Sequence, residues 1–139
     1  MKSFQLTYAA FLFPAIPLMM LTFGNRWIAI SKLIRQMHAD FIDKKNRNEA
    51  AKKYLTQIKI LNLRLQYVKY MQLFSGLAFI FNLFSILVGI FDIMITPYLF
   101  SFAIILFSLA LCIFIVEINL SSKALKTHLE DIEDQKNKN

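Results

Sequence analysis

One set of small and polar side chains recurs every three or four residues inside the most apolar stretch of the chain. The set consists of Ser75, Ala78, Asn82, Ser85 and Gly89, and on an α-helix it forms a single narrow face. Inside a bilayer, small residues let helices approach closely, and polar side chains add about 1 kcal/mol per interhelical hydrogen bond. This stripe is therefore either a helix-packing seam or the lining of an aqueous path in an oligomer. Asn82 lies near the middle of the stretch, where an amide without a partner is costly, so it must meet another helix or water.

Two further apolar blocks carry faces of the same kind. In the last block, one predicted face holds Ser101, Ser108 and Cys112 and extends to Asn119. In the first block, the same spacing joins Thr7, Ala10, Pro14, Pro17, Leu21 and Gly24. Because Pro14 and Pro17 each lack a backbone donor, we predict a kink in this helix and freed carbonyls that neighbouring helices or water must cover.

Two residues of opposite charge flank these blocks. Arg26 follows the first block and Glu117 follows the last, so both are expected near the inner headgroup level. We predict an ion pair between them. The alternative is a proton or ion relay, because ionisable groups within membranes often mark such pathways. Asp92 falls in a predicted outer turn, where a solvated charge is favoured over the mouth of a cation path.

No other chemistry has a recognisable motif. The three glycines are scattered and build no phosphate loop. His38 and His128 lack metal-ligand spacing, and Cys112 is the single cysteine, so the sequence predicts no metal site, no cofactor and no disulfide. We therefore predict that the protein is not an enzyme.

The candidate residues lie on or beside three apolar blocks, at residues 4–24, 73–91 and 98–116. A block of 19 residues makes a helix of roughly 28 Å, close to the ~30 Å hydrocarbon core of a bilayer. The 139-residue chain is 57% hydrophobic, and its blocks are continuously apolar rather than alternating, which disfavours a membrane β-barrel. We predict an all-α, polytopic integral membrane protein with three transmembrane helices in a single membrane domain, 1–139.

Residues 25–72, between the first two spans, predict a basic helical hairpin. Two amphipathic faces are expected: Trp27, Ile30, Ile34, Met37 and Phe41, and then Leu55, Ile58, Leu61, Leu65 and Val68. The polar run 43–48 is the predicted turn, so the two arms should pack antiparallel. Eleven of the 16 Lys and Arg residues lie between positions 26 and 69. The positive-inside rule therefore places this hairpin and the C-terminus in the cytoplasm and the N-terminus outside.

The tail, residues 117–139, is predicted to continue the third helix for a few turns and to end in five disordered residues. It is acidic near its end, whereas the hairpin is basic. The hairpin's lysines suit anionic lipid headgroups, each contributing about 1 kcal/mol near the surface. The expected partners are thus the lipid bilayer, anionic headgroups and other copies of the chain, with no nucleic acid.

Three runs in the first forty residues form a recognisable pattern: Leu12-Phe13-Pro14-Ala15-Ile16, Thr22-Phe23-Gly24-Asn25-Arg26-Trp27 and Leu33-Ile34-Arg35-Gln36-Met37-His38. They resemble a family of small bacterial membrane proteins of unknown function. Glu117-Ile118 resembles the Glu-Ile that closes the last span in that family, and Pro17 departs from its pattern. The resemblance implies a bacterial cytoplasmic (inner) membrane and draws attention to Arg26, Arg35 and Glu117. It implies no activity, substrate or cofactor.

Two functions follow from these patterns. The first is a homo-oligomeric, channel-like assembly with the second-span stripe at or near the axis, because three helices offer too little interior for a path within one copy. The second is a membrane scaffold or accessory subunit that recruits a partner through its cytoplasmic hairpin and acidic tail.

Overall fold

A computed structural model describes residues 2–43, 48–91 and 94–137 of the chain. It contains three long helices, α1 (Lys2–Asp43), α2 (Asn48–Phe91) and α3 (Thr96–Asn137). Each is long and apolar enough to cross a membrane, by length and composition. The prediction of an all-α chain with three helices able to span a membrane is confirmed. Residues 44–47 of the predicted polar turn and Asp92 lie outside the described residues.

The helices are far longer than a bilayer requires. With 42, 44 and 42 residues, they measure about 63–66 Å, roughly twice the ~30 Å hydrocarbon core. We call residues 7–24, 73–91 and 98–116 the membrane part, and residues 25–43, 48–72 and 117–137 the extension. Each helix passes from one part to the other without interruption.

The third helix is longer than the sequence predicts. Instead of ending a few turns after Val116, α3 reaches Asn137, and residues 138 and 139 of the predicted disordered end lie outside the described range. The physical reason is composition, since no glycine or proline follows Pro97 and the tail is rich in Lys, Glu and Leu, which are good helix formers. At the other end, Pro97 occupies the first turn, where its missing N–H costs nothing.

The central helix, α2, packs antiparallel against both α1 and α3, whereas α1 and α3 meet only slightly. Antiparallel order is visible where the Phe41 and Tyr54 rings lie 6.3 Å apart near one end and Asn82 contacts Ala9 near the other. On α1 the buried side chains recur every seven residues: Ala9, Ile16, Phe23 and Ile30. This is the spacing at which helices pack nearly parallel to one another in bundles.

Most residues of the two predicted faces of the hairpin meet in this packing. Ile30, Leu61 and Val68 are buried in a single cluster, against which Trp27, Ile34, Met37 and Leu65 pack. Leu55, however, is 52% exposed, so the apolar contact does not extend to it. The same cluster includes Phe23, Met71 and Ala110, and the core therefore runs continuously from the membrane part into the extension.

Candidate functional site

Four polar side chains from all three helices meet where the membrane part joins the extension. We call Arg26 of α1, Arg64 of α2, and Glu117 and Ser121 of α3 the ionic cluster. The Glu117 side chain is fully buried. Its Oε1 accepts hydrogen bonds from Arg64 Nε at 3.1 Å and from Ser121 Oγ at 3.0 Å, and its Oε2 accepts one from Arg26 Nη1. Arg64 Nη2 also donates to Ser121 Oγ.

Local structure explains how the cluster is held. Glu117 and Ser121 are four residues apart and therefore lie on one face of α3. The Arg26 guanidinium carbon lies 4.9 Å from the centre of the Phe114 ring, a cation–π geometry, and the Phe23 ring packs against the same ring at 5.4 Å. The Arg26 and Arg64 side chains are 33% and 18% exposed, so part of each reaches the surface.

The composition of the cluster favours a structural clamp over a proton relay. A carboxylate in an apolar interior is stable only when its oxygens are hydrogen-bonded and its charge is paired. Here both oxygens have charged donors, and one anion joins three helices. A relay would need a neighbour that releases a proton, whereas guanidinium groups do not deprotonate in proteins. Two arginines against one glutamate leave this site with one excess positive charge.

The second-span stripe lies at the contact between helices. Ser75, Ala78, Asn82 and Ser85 have no exposed surface, and Gly89 is also buried. Asn82 Nδ2 donates to the Ala9 carbonyl of α1 at 3.2 Å, and Ser85 Oγ donates to the Thr96 carbonyl at the start of α3 at 3.3 Å. Ser75 Oγ bonds within its own helix, to the Gln72 carbonyl at 3.1 Å. In this arrangement the stripe is buried between the helices of one chain, which favours a packing seam over the lining of an axis between copies.

The predicted stripes of the other two helices face outward instead. Ser101, Ser108, Cys112 and Asn119 are exposed, while α3 buries Ala103, Leu106, Ala110 and Glu117. On α1, Thr7, Ala10, Pro14 and Leu21 are exposed, and Pro17 and Gly24 are half-buried. The prediction that these two faces pack against other helices is therefore wrong for contacts within the chain. The helix runs unbroken through both prolines, and the kink itself stays a prediction.

Comparison with known proteins identifies a family. The model of a family described as Protein of unknown function (DUF2721) matches residues 6–127. The chain belongs to this family. The match covers every residue of the ionic cluster and of the stripe, and it confirms the resemblance to a family of unknown function. No curated protein and no solved structure matches the chain.

Family membership adds no chemistry to the site. Among the described residues, no group of three His, Cys, Asp or Glu side chains could hold a metal ion. His38 and Arg35 are exposed on α1, and the side chain of His128 lies outside the described residues. Between the described helices the structure shows ionic, hydrogen-bonded and apolar contacts.

Sequence reasoning missed Arg64, which is one of the eleven basic residues between positions 26 and 69, and it also missed Ser121. A signal was present, because Arg64 lies three residues after Leu61 and four before Val68, on the apolar face of its helix. A charge on such a face requires a partner in the packed interface. Ser121 could have been found from its spacing, because a residue four positions after Glu117 lies on the same face of α3.

Replacement of Asn82 by leucine is expected to change stability by no more than about 1 kcal/mol. The substitution removes the bond to the Ala9 carbonyl, but it also removes Asn82 Oδ1, a buried oxygen without a partner in the part of the chain that is described. These effects oppose one another. Thermal unfolding in detergent measures the net change, and ion flux into liposomes should be the same for both proteins. A large loss of flux in Asn82→Leu, with stability preserved, would contradict the assignment of this residue to a packing seam.

Proposed function

We propose that this protein is a membrane-anchored helical scaffold, or accessory subunit, whose extension binds a protein partner in the cytoplasm. The observation that carries the proposal is the exposure of large apolar side chains on the extension. Leu63 and Leu125 are 45% and 62% exposed, and Leu129 of the acidic tail is 56% exposed. Large apolar side chains outside a bilayer are favourable sites for protein contacts, because contact removes them from water.

Charge supports the cytoplasmic placement of the extension. Eleven of the 16 basic residues lie between positions 26 and 69, most of them on the arms of the extension. Lys and Arg are enriched in cytoplasmic segments next to transmembrane helices. This topology places the N-terminus of α1 on the opposite side of the membrane from the C-terminus of α3, in a bacterial inner membrane.

Rigid support is the second argument. A docking surface works best when its residues are held by a fixed framework. The extension is continuous with the membrane helices, its core cluster extends from Phe23 to Leu61, and the ionic cluster ties all three helices together at the junction. The partner would therefore meet a preformed surface.

A homo-oligomeric channel is the second candidate, and the observation that favours it is the exposed face of α3. Ser101, Ser108 and Cys112 offer small side chains on a lipid-facing surface, where another copy could approach closely. Such an assembly would have its contacts at α3. A path lined by the second-span stripe would instead require the three helices of one copy to separate.

Photo-cross-linking in native membranes tests the scaffold. A photoreactive amino acid at Leu63 or Leu125 should give a discrete adduct with a protein other than this chain, identified by its mass. The matched control is Leu87, which is also exposed at 56% but lies in the membrane part, where lipid is its expected neighbour. In addition, purified protein in liposomes should conduct no more than protein-free liposomes.

Two results would contradict the scaffold. Adducts at Leu63 and Leu125 whose mass is a multiple of this chain alone would favour the homo-oligomer. Selective ion flux that follows the protein concentration would favour a channel.

A further inference from the structure

A shallow groove between α1 and α2 has the features of a lipid headgroup site. It is lined by Trp27 of α1 and by Asn62, Leu65, Gln66 and Lys69 of α2. Its volume of about 190 Å³ is below the ~300–1,000 Å³ of pockets that enclose whole small molecules. A groove of this size suits one fragment of a larger ligand whose remainder lies elsewhere.

The groove carries a positive charge and amide donors on one face of α2. Asn62, Gln66 and Lys69 are spaced by four and three residues, so their side chains project from the same side of the helix. Within the described residues Lys69 is exposed and has no ion-pair partner. An ammonium group beside two amides matches the oxygens of a phosphodiester.

The position of the groove along the helices agrees with the level of lipid headgroups. Lys69 lies four residues before Leu73, where the apolar span begins. Trp27 packs on the buried core beside it, and tryptophan is enriched at the membrane interface. The groove thus opens at the level of the lipid phosphates on the side of the extension.

An apolar track continues from the groove along the same face of α2. Leu73, Leu77 and Ile80 are 55%, 38% and 47% exposed. They follow Lys69 at intervals of three or four residues and therefore lie on the same face of the helix. From Lys69 to Ile80 the rise is about 16 Å, close to half of the ~30 Å hydrocarbon core. That length accommodates an acyl chain from a single leaflet.

We propose that this face of α2 binds an anionic glycerophospholipid of the leaflet next to the extension, with its phosphate in the Trp27–Lys69 groove. Charge complementarity selects an anionic over a zwitterionic headgroup, because Lys69 is the only charged side chain that lines the described groove. The site is a defined position on the protein, whereas attraction of the basic hairpin to a charged surface would be diffuse. It does not depend on the scaffold function.

Trp27 is the single tryptophan of the chain and therefore reports on this groove directly. The full chain is reconstituted in phosphatidylcholine nanodiscs with increasing amounts of phosphatidylglycerol brominated near the glycerol end of its acyl chains. Quenching of Trp27 fluorescence should saturate at a low fraction of brominated phosphatidylglycerol. Brominated phosphatidylcholine should quench only in proportion to its abundance. Inorganic phosphate should leave the emission unchanged, which separates lipid from free anion.

The variants locate the effect. Lys69→Gln should reduce the preference for phosphatidylglycerol about fivefold, the factor expected for one Lys near an anionic surface. Lys69→Arg should keep the preference, and so should Lys59→Gln, an exposed lysine on the same helix that lies outside the groove. Equal quenching by the two lipids in the wild type would overturn the proposal. So would equal loss of preference in Lys69→Gln and Lys59→Gln, because charge would then act without a site.

Discussion

Replacement of Glu117 by leucine is expected to destabilise the folded chain by about 3 kcal/mol, the low end of the cost of removing one partner of a buried ion pair. The variant leaves Arg26 and Arg64 facing each other with no anion between them, and Ser121 loses its acceptor. The low end applies because both arginine side chains are partly exposed. Thermal or denaturant unfolding in a fixed detergent measures the loss.

The matched control is Glu130→Leu, the same substitution at an exposed position of α3, which should change stability by less than about 0.5 kcal/mol. A triple variant with leucine at Arg26, Arg64 and Glu117 should recover most of the loss, because burying apolar residues in place of a whole ionic group is often neutral or stabilising. Equal melting of Glu117→Leu and Glu130→Leu would show that the cluster does not clamp the helices.

Replacement of Ala78 by leucine is expected to destabilise the membrane part by about 2 kcal/mol, in the range for overfilling a packed core. Ala78 is fully buried and shares one cluster with Ile16 of α1 and Leu106 of α3, so a larger side chain there pushes against two helices at once. The loss should appear as a lower unfolding temperature and as easier proteolysis of the chain in detergent.

Ala10→Leu provides the comparison for this prediction. Ala10 lies at an exposed position of α1 in the membrane part, so the same added atoms meet lipid or detergent rather than a helix. Its unfolding temperature should equal that of the wild type. Equal loss of stability in Ala78→Leu and Ala10→Leu would contradict the prediction, because the loss would then not depend on packing between helices.

The spans and the stripe of α2 could be predicted from the sequence because hydropathy and spacing both point to them. The stripe residues stand out as small or polar among Leu, Ile, Phe and Val, and α2 is the helix that packs on both neighbours. Its polar face therefore coincides with its buried face. The packing of the two arms of the hairpin could also be predicted, since the apolar face of an amphipathic helix packs on the core.

The buried faces of α1 and α3 could not be predicted in this way. On α1 the chain buries Ile16 and Phe23, while the smaller Ala10 and Pro14 are exposed. Within a bilayer, lipid tails solvate leucine and phenylalanine as well as a helix does, so apolar residues do not show which side is buried. Two residues of the ionic cluster, Arg26 and Glu117, could be predicted because each lies at the end of an apolar span. Arg64 could not be singled out in this way, because it lies within a segment of many charged residues.

Three helices cross the junction without a break, so a tilt of the membrane part would tilt the extension with it. In the proposed placement the headgroup region is the pivot, and the extension of α2, residues 48–72, is about 37 Å long. Transmembrane helices tilt to match the thickness of the surrounding bilayer. A change in inclination of about 10° would sweep the far tip sideways by about 6 Å, since the extension has no hinge at the surface to absorb it. Thinning or thickening of the surrounding lipid would thereby be converted into motion in the aqueous phase.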